Sequence, residues 1–182
     1  METTRERMIV AMAHLVRANG YSGTGLNQII TDARAPKGSM YHHFPAGKEE
    51  LGEAAIAYYG DVVRSLLERC LGEGSVVDGI ERFVDALANQ LERSEFYDGC
   101  PVGLMAMEVG PANDRLAAAT QAAFDLWIAS VETHLRAAGV PDATDRATAI
   151  IAAVEGGVIL ARCHRSAAPL RAVSRGIALL AV

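Results

Sequence analysis

Cysteine is scarce in this sequence, and its few copies have no spacing that would build a covalent or metal-bound framework. The 182 residues include three cysteines, Cys70, Cys100 and Cys163, and no CxxC pair. An odd number at wide spacing argues against both a disulfide framework and a zinc cluster. We therefore expect a reducing cytoplasm, with no metal and no cofactor.

The sequence also lacks the patterns that are typical of a targeting signal and of a membrane-spanning helix. The start, METTRERM, is charged, and the apolar run after it ends at Arg17 without a small-residue cleavage site. The apolar stretch AIIAAVEGGVILA is interrupted by Glu155 and is shorter than the roughly 20 residues that cross a bilayer. These features predict a cytoplasmic protein without a membrane partner.

Alternating strand patterns are absent, and all six prolines lie between stretches of helical periodicity. The sequence therefore predicts an all-α protein of about nine helices. Thr3 and Glu6 are expected to cap the first helix, Gly20 to end it, and Thr24 to cap the second. The remaining helices are predicted at about 37–43, 48–71, 75–94, 101–110, 112–138, 142–165 and 168–182. An apolar stripe on the fourth comprises Leu51, Ala54, Ala55, Tyr58, Val62 and Leu66.

Charge is spread unevenly along the chain. The net charge is −5, yet the first 48 residues carry six Lys and Arg against three acids, and the remainder carries 11 against 19. A basic front on an acidic body is typical of a small module that faces DNA or a membrane.

The stretch APKGSMYHHFPAGKEEL, residues 35–51, combines small, basic and aromatic residues at the start of a short helix. Two short helices joined by a tight turn, with a longer helix before them, form a helix-turn-helix whose second helix lies in a major groove. On this interpretation Lys37, Tyr41 and His42 reach the DNA, and Phe44 anchors the segment inside. The two adjacent histidines lie about 100° apart around a helix and cannot chelate one metal ion. Taken singly, each polar residue is equally compatible with a solvated surface.

This stretch, preceded by GLNQIITDA, resembles the DNA-binding segment of the TetR family of bacterial repressors over about residues 3–51. The resemblance implies an all-helical homodimer with a helix-turn-helix domain at 1–47 and a ligand-binding and dimerisation domain at 48–182. It implies a repressor that binds double-stranded operator DNA and is released by a small hydrophobic or aromatic effector. The DNA-contacting set carried over by position is Thr24, Lys37, Gly38, Ser39, Tyr41, His42 and Lys48. Arg34 departs from the family pattern, which usually has glycine at that turn.

A second segment, DGCPVGLMAMEVG at residues 98–110, resembles the LmrA/YxaF-like branch of the same family. Members of that branch often control genes for drug efflux or for the handling of aromatic compounds. The resemblance favours this branch and does not identify the ligand.

An effector cavity among the long helices would be lined by large apolar groups with a few polar ones to orient the ligand. The candidate residues are Tyr59, Phe83, Leu87, Phe96, Leu104, Met105, Glu108, Phe124, Trp127 and His134. Aromatic and methionine residues on helices are more often core than ligand site, so core packing remains the alternative for each. Cys100, ahead of a helix that starts at Pro101, is either a redox-sensitive thiol or an inert buried one.

Small residues form a stripe on the eighth helix, where glycine is unfavourable and close helix contact offsets its cost. The stripe comprises Ala149, Ala153, Gly156, Gly157 and Leu160. We predict that it forms a symmetric dimer face with the final IALLAV, as a four-helix bundle across a two-fold axis.

Two other classes of function are alternatives. An enzyme is disfavoured because the sequence has no nucleophile elbow, no HExxH and no glycine-rich phosphate loop. A helical small-molecule carrier or sensor without DNA binding stays open, and the sequence does not separate an activator from a repressor.

Overall fold

The computed structural model describes residues 2–109 and 112–177, and within these ranges the chain forms α-helices and no strand. The predicted all-α class is confirmed. The described helices are α1 (Thr4–Asn19), α2 (Leu26–Asp32), α3 (Met40–His43), α4 (Lys48–Leu71), α5 (Val76–Arg93), α6 (Pro101–Val109), α7 (Asp114–Ala137), α8 (Ala143–His164) and α9 (Ala168–Ile177).

The start and end of α1 are set by local chemistry, as the sequence predicted. The Thr3 amide donates to the Glu6 carboxylate at 2.7 Å, and the Glu6 amide donates to the Thr3 hydroxyl at 3.2 Å. This reciprocal pair satisfies two amides that have no partner inside the helix. Gly20 ends the helix with φ +72°, a conformation that residues with a Cβ rarely adopt.

Two local predictions about the helix-turn-helix are wrong. Gly25, not Thr24, stands at the N-cap of α2, because the Thr24 hydroxyl instead donates to the Gly20 carbonyl oxygen at 2.6 Å. The helix α3 begins at Met40 rather than near Lys37. The residues before it form a turn in which the Ser39 amide and hydroxyl donate to the Pro36 carbonyl oxygen at 2.9 and 2.7 Å.

The buried face of α4 differs from the predicted stripe. Tyr58 and Val62 are exposed, whereas Tyr59 and Val63 are buried. Apolar residues occur on more than one side of this helix, so periodicity alone does not select the packed side. Ile56 is also buried, and most buried apolar positions follow a four-residue repeat: Leu51, Ala55, Tyr59, Val63, Leu67 and Leu71.

The chain divides into two compact units, and the first comprises Met1–Asp61 and Pro101–Ala123. In this unit α1 packs against α2 and α6. Its buried core includes Met8, Met12, Ile29, Met40, Phe44, Leu51, Met105 and Leu116. The core thus packs α2 on α1 and buries one side of α3.

The second unit comprises Val62–Cys100 and Phe124–Val182. Within it α9 packs against α8 and α5. The Arg171 guanidinium on α9 lies 3.2 Å from the Glu92 carboxylate and 3.6 Å from that of Asp85, both on α5. The predicted domain boundary between residues 47 and 48 stays a prediction.

Candidate nucleic-acid interface and effector-binding residues

The short helix α3 has a buried side and an exposed side. Met40 and the following Phe44 are buried, and the Arg5 guanidinium lies 5.0 Å from the centroid of the Phe44 ring. Tyr41 is 65% exposed and His42 is exposed. Burial of the two apolar residues therefore anchors a helix whose polar aromatic side chains point to solvent.

The turn that precedes α3 carries the predicted basic residue on its surface. Lys37 and Gly38 are exposed, and a Cβ placed on Gly38 would have no atom within 4 Å. The chain's own packing does not require glycine at position 38. The absence of a side chain there leaves the turn open to close approach by an external partner.

Arg34 occupies a conformation that explains why its position is unusual for arginine. Its φ is +48°, in the left-handed region where glycine is favoured. The turn is held by the Ala35 amide, which donates to the Ile30 carbonyl at 3.0 Å, and by Arg7 Nε, which donates to the Ala33 carbonyl at 2.9 Å. These bonds hold the turn in place despite the strained residue.

Thr24 and Lys48, both in the predicted DNA-contacting set, make internal bonds. Thr24 is buried and bonded to Gly20. The Lys48 ammonium donates to the Tyr21 carbonyl oxygen at 2.6 Å and lies 4.3 Å from the centroid of the Tyr21 ring. Burial lowers the pKa of Lys48, while the nearby Glu108 carboxylate acts in the opposite direction. Their contacts with DNA stay predictions.

Glu108, predicted to orient an effector, bonds to the loop between α1 and α2, and its contact with an effector stays a prediction. Its carboxylate accepts from the Tyr21 amide at 3.1 Å and from the Ser22 amide at 2.7 Å. Sequence pattern contained no signal for this pairing, because the partners lie 87 and 86 residues apart.

The other effector candidates of the first unit are apolar residues with packed surroundings. Met105 is fully buried and Leu104 is half-buried. Tyr59 is buried, and the Arg17 guanidinium lies 5.8 Å from the centroid of its ring. An effector contact by any of them stays a prediction.

The effector candidates of the second unit include one aromatic pair. The rings of Phe124 and Trp127 meet edge to face, with centroids 5.3 Å apart. Trp127 is buried, and His134 Nδ1 lies 2.9 Å from the Ser130 carbonyl oxygen on the preceding turn. The remaining members comprise Phe83, which is buried, and Leu87 and Phe96, which are half-buried.

Sequence reasoning missed Glu155 as a candidate for chemistry. Burial of its carboxyl raises the pKa to about 7, and a hydrogen bond with the Cys100 thiol lowers it by a smaller amount. A single acid in the apolar run of α8 was the available signal. The pairing also places Cys100 beside a carboxyl group, which does not stabilise a thiolate.

The predicted dimer stripe on α8 covers more than one side of the helix. A Cβ on Gly157 would lie 2.7 Å from Leu170 Cδ1, so Gly157 permits the close approach of α9 in the same chain. Gly156 has no atom within 4 Å of such a Cβ, Ala153 is half-buried, and Ala149 and Leu160 are exposed. Of the final IALLAV, Ile177 is buried and residues 178–182 lie outside the described residues.

Among the helices that the structure describes, α8 alone is long and apolar enough by composition to cross a membrane. It packs against α9 and α5 through its buried side. Its sequence includes the charged residues Arg146 and Glu155. One helix of this kind is weak evidence for a membrane span.

A helix-turn-helix with an exposed second helix defines the class of DNA-binding regulators. The family model of bacterial regulatory proteins, tetR family, matches residues 9–55. The model of the C-terminal domain of LmrA/YxaF-like transcriptional regulators matches residues 76–176. The chain belongs to the TetR family of bacterial transcriptional regulators and to its LmrA/YxaF-like branch.

Individual relatives support this assignment over nearly the full chain. The uncharacterized HTH-type transcriptional regulator YxaF of Bacillus subtilis is 34% identical, covering 97% of this chain and 94% of its own. The HTH-type transcriptional regulator LmrA of the same organism is 35% identical, with 94% and 93% covered. The crystal structure of regulatory protein TetR from Rhodobacter sphaeroides superposes with a TM-score of 0.88 at 26% identity, covering 97% of both chains.

Proposed function

We propose that this TetR-family regulator is a cytoplasmic homodimeric repressor that binds operator DNA and is released by a small hydrophobic or aromatic effector. The observation that carries the proposal is the division of α3, where Met40 and Phe44 are buried while Tyr41 and His42 face solvent. A recognition helix needs this arrangement, because its base-facing side must be free and its other side must be fixed. The protein acts by binding rather than by catalysis.

The surface around α3 has the chemistry of a phosphate and base-edge interface. Lys37 contributes a cation, and Tyr41 and His42 contribute hydrogen-bonding tips. Gly38 and Ser39 keep the approach of the backbone unobstructed. The basic excess of the first 48 residues favours the same face for a polyanion.

Dimerisation supplies the second recognition helix, since successive major grooves on one face of DNA lie about 34 Å apart. The apolar side of α8 supports this part of the proposal, because large apolar residues there are exposed in the part of the chain that the structure describes. Ile159 and Leu160 are 47% and 48% exposed, next to the open position of Gly156. Two copies of α8 and α9 would form the four-helix bundle.

Effector release follows if the ligand binds a conformation whose two recognition helices no longer match the operator. A complete reversal of occupancy requires about 5.5 kcal/mol of difference in ligand affinity between the two conformations. The apolar and aromatic candidates, with Trp127 and Met105 foremost, favour a hydrophobic effector. The long helix α4 contributes residues to both units and is the element we expect to transmit the change.

DNA binding is tested with a duplex that the wild-type protein selects from a random pool, by gel shift and by titration across salt concentrations. Tyr41→Ala is expected to weaken binding by about tenfold or more, a loss of about 1.4 kcal/mol. Tyr97→Ala is the matched control, since Tyr97 is 66% exposed and Tyr41 is 65% exposed. Lys37→Ala should reduce the slope of log affinity against log salt by about 0.9. Selection of no duplex at low salt, or equal binding by the two tyrosine variants, would contradict the proposal.

The dimer is tested by sedimentation of Leu160→Glu, which puts a charge on the exposed side of α8. Tyr58→Glu, at a position 41% exposed on α4, controls for the added charge. We expect the first variant to shift toward monomer and the second to behave as the wild type. A monomeric wild-type protein at micromolar concentration would refute the dimeric part of the proposal.

A further inference from the structure

In the loop between α1 and α2, both the amide and the carbonyl group of Tyr21 are hydrogen-bonded to side chains from other helices. Glu108 on α6 accepts from the Tyr21 amide at 3.1 Å, and Lys48 at the start of α4 donates to the Tyr21 carbonyl at 2.6 Å. The Ser22 amide supplies a second bond to Glu108 at 2.7 Å. Both backbone groups of Tyr21 are therefore bound to charged side chains, which form stronger hydrogen bonds than neutral groups do.

Gly20 is adapted to the same carboxylate. A Cβ at this position would lie 1.8 Å from Glu108 Oε1 and 2.9 Å from its Cδ, and the residue has φ +72°. The positive φ favours glycine, and a Cβ at this position would displace the Glu108 carboxylate. The exposed Glu108 side chain thus lies directly against the backbone at the end of α1.

The loop leads directly into α2, the first helix of the helix-turn-helix. It ends at Thr24, whose hydroxyl bonds back to the Gly20 carbonyl, and α2 begins at Leu26. The direction in which α2 leaves the loop therefore depends on the peptides that Glu108 and Lys48 hold. The short α3 follows α2 after one turn, so an error in the placement of α2 carries over to Tyr41 and His42.

We infer that Glu108 is a positioning residue for DNA recognition: its carboxylate holds the α1–α2 loop and thereby sets the placement of the helix-turn-helix. The inference rests on the proposed function for its DNA-binding consequence. It assigns Glu108 to the support of the DNA-binding segment rather than to the effector site. The residue contacts no DNA itself and acts through Tyr21 and Ser22.

The sign of the electrostatic effect makes the inference testable. Glu108→Gln removes a negative charge from the unit that carries the helix-turn-helix, and charge alone would tighten binding to a polyanion. Loss of the loop bonds acts in the opposite direction, because the variant retains a single acceptor oxygen for two amides. Weaker specific binding by a less negative protein therefore has no explanation in net charge.

The first measurement uses the free protein and needs no DNA. Hydrogen exchange of the Tyr21 and Ser22 amides is compared between the wild type, Glu108→Gln and Glu108→Ala. Both variants are expected to exchange these amides about tenfold faster or more. Glu81→Gln removes the same charge from an exposed position on α5 and is expected to leave exchange unchanged. Unchanged protection in both Glu108 variants would overturn the inference.

The second measurement uses the wild-type-selected duplex and a scrambled duplex. We expect Glu108→Gln to bind the selected duplex about tenfold more weakly and to keep its affinity for the scrambled one, so that the specificity ratio falls by about tenfold. Gly20→Ala should behave in the same way. Gly139→Ala is its control, because Gly139 has φ +76° and no atom within 4 Å of an added Cβ.

The two measurements separate the failure of each idea. Faster exchange in the Glu108 variants, with no duplex selected by the wild type, would sustain the loop contact and refute the DNA-binding function. A normal specificity ratio in Glu108→Gln, with DNA binding intact in the wild type, would overturn the positioning role alone.

Discussion

The carboxyl group of the half-buried Glu155 on α8 predicts an unusual dependence of stability on pH. Burial raises the pKa of Glu155 from 4.5 to about 7, so the folded protein holds this proton more tightly than the unfolded chain does. The stabilisation is fully present below pH 4.5 and is lost as pH rises through 7. Each unit of difference in pKa corresponds to about 1.4 kcal/mol, which gives about 3 kcal/mol for the whole shift.

The perturbation that isolates this contribution is Glu155→Gln, which resembles the protonated acid in size and shape. We expect the variant to gain stability relative to the wild type by about 1.4 kcal/mol per pH unit between about pH 5 and pH 7. The difference should level off near 3 kcal/mol above that range. The Cys100 thiol, hydrogen-bonded to the same carboxyl, opposes the shift and is kept in both proteins.

The assay is urea unfolding of both proteins at pH 5, 6, 7 and 8, at one fixed protein concentration. Subtracting the free energy of unfolding of the wild type from that of the variant cancels the pH-dependent contributions of other acidic groups. One such group is Asp78, whose pKa is lowered by hydrogen bonds to Ser75. Glu81→Gln measures the general effect of one charge. A Glu155→Gln difference that varies by less than about 0.5 kcal/mol from pH 5 to pH 8 would refute the reasoning.

Two further predictions concern backbone sites. Gly157→Ala should lower the free energy of unfolding by about 1–3 kcal/mol, because its Cβ would lie 2.7 Å from Leu170 Cδ1. Gly156→Ala should raise the free energy of unfolding by up to about 1 kcal/mol, because its Cβ would have no atom within 4 Å. Urea unfolding of the two variants checks both predictions. If Gly157→Ala is as stable as Gly156→Ala, the reasoning is wrong, because α9 then moves to accommodate the Cβ without a loss of stability. Arg34→Gly should raise the free energy of unfolding by up to about 1 kcal/mol, because glycine adopts φ +48° without strain. Arg165→Gly at the same φ is the comparison, and a loss of stability in Arg34→Gly alone would mean that the Arg34 side chain itself stabilises the turn.

Features that depend on neighbouring residues followed from the sequence. The Thr3 and Glu6 capping box is formed within four residues, and the end of α1 at Gly20 needs only the backbone freedom of glycine. The all-helical class followed from periodicity over windows of similar length. The family resemblance rested on a contiguous motif and was confirmed by the matching family models.

Features that depend on distant residues did not follow from it. One local prediction also failed: Thr24 has the right residue type for an N-cap, yet its hydroxyl donates to the carbonyl oxygen of the nearby Gly20. The packed side of α4 was ambiguous because Tyr58 and Tyr59 are both candidates for burial by composition, and only packing makes Tyr59 the buried one. The composition of α4 leaves more than one side able to be buried, and the tertiary contacts decide which side is packed.

The sequence by itself determined the all-helical class, the capping box of α1 and the family of this protein, because each depends on residues close together along the chain. The tertiary structure decided that Gly157 faces α9 and that Glu108 binds a loop 86 residues away. These outcomes depend on which surfaces meet when the helices pack. A single sequence does not encode that choice in any local pattern, and only the folded chain brings the groups within bonding distance.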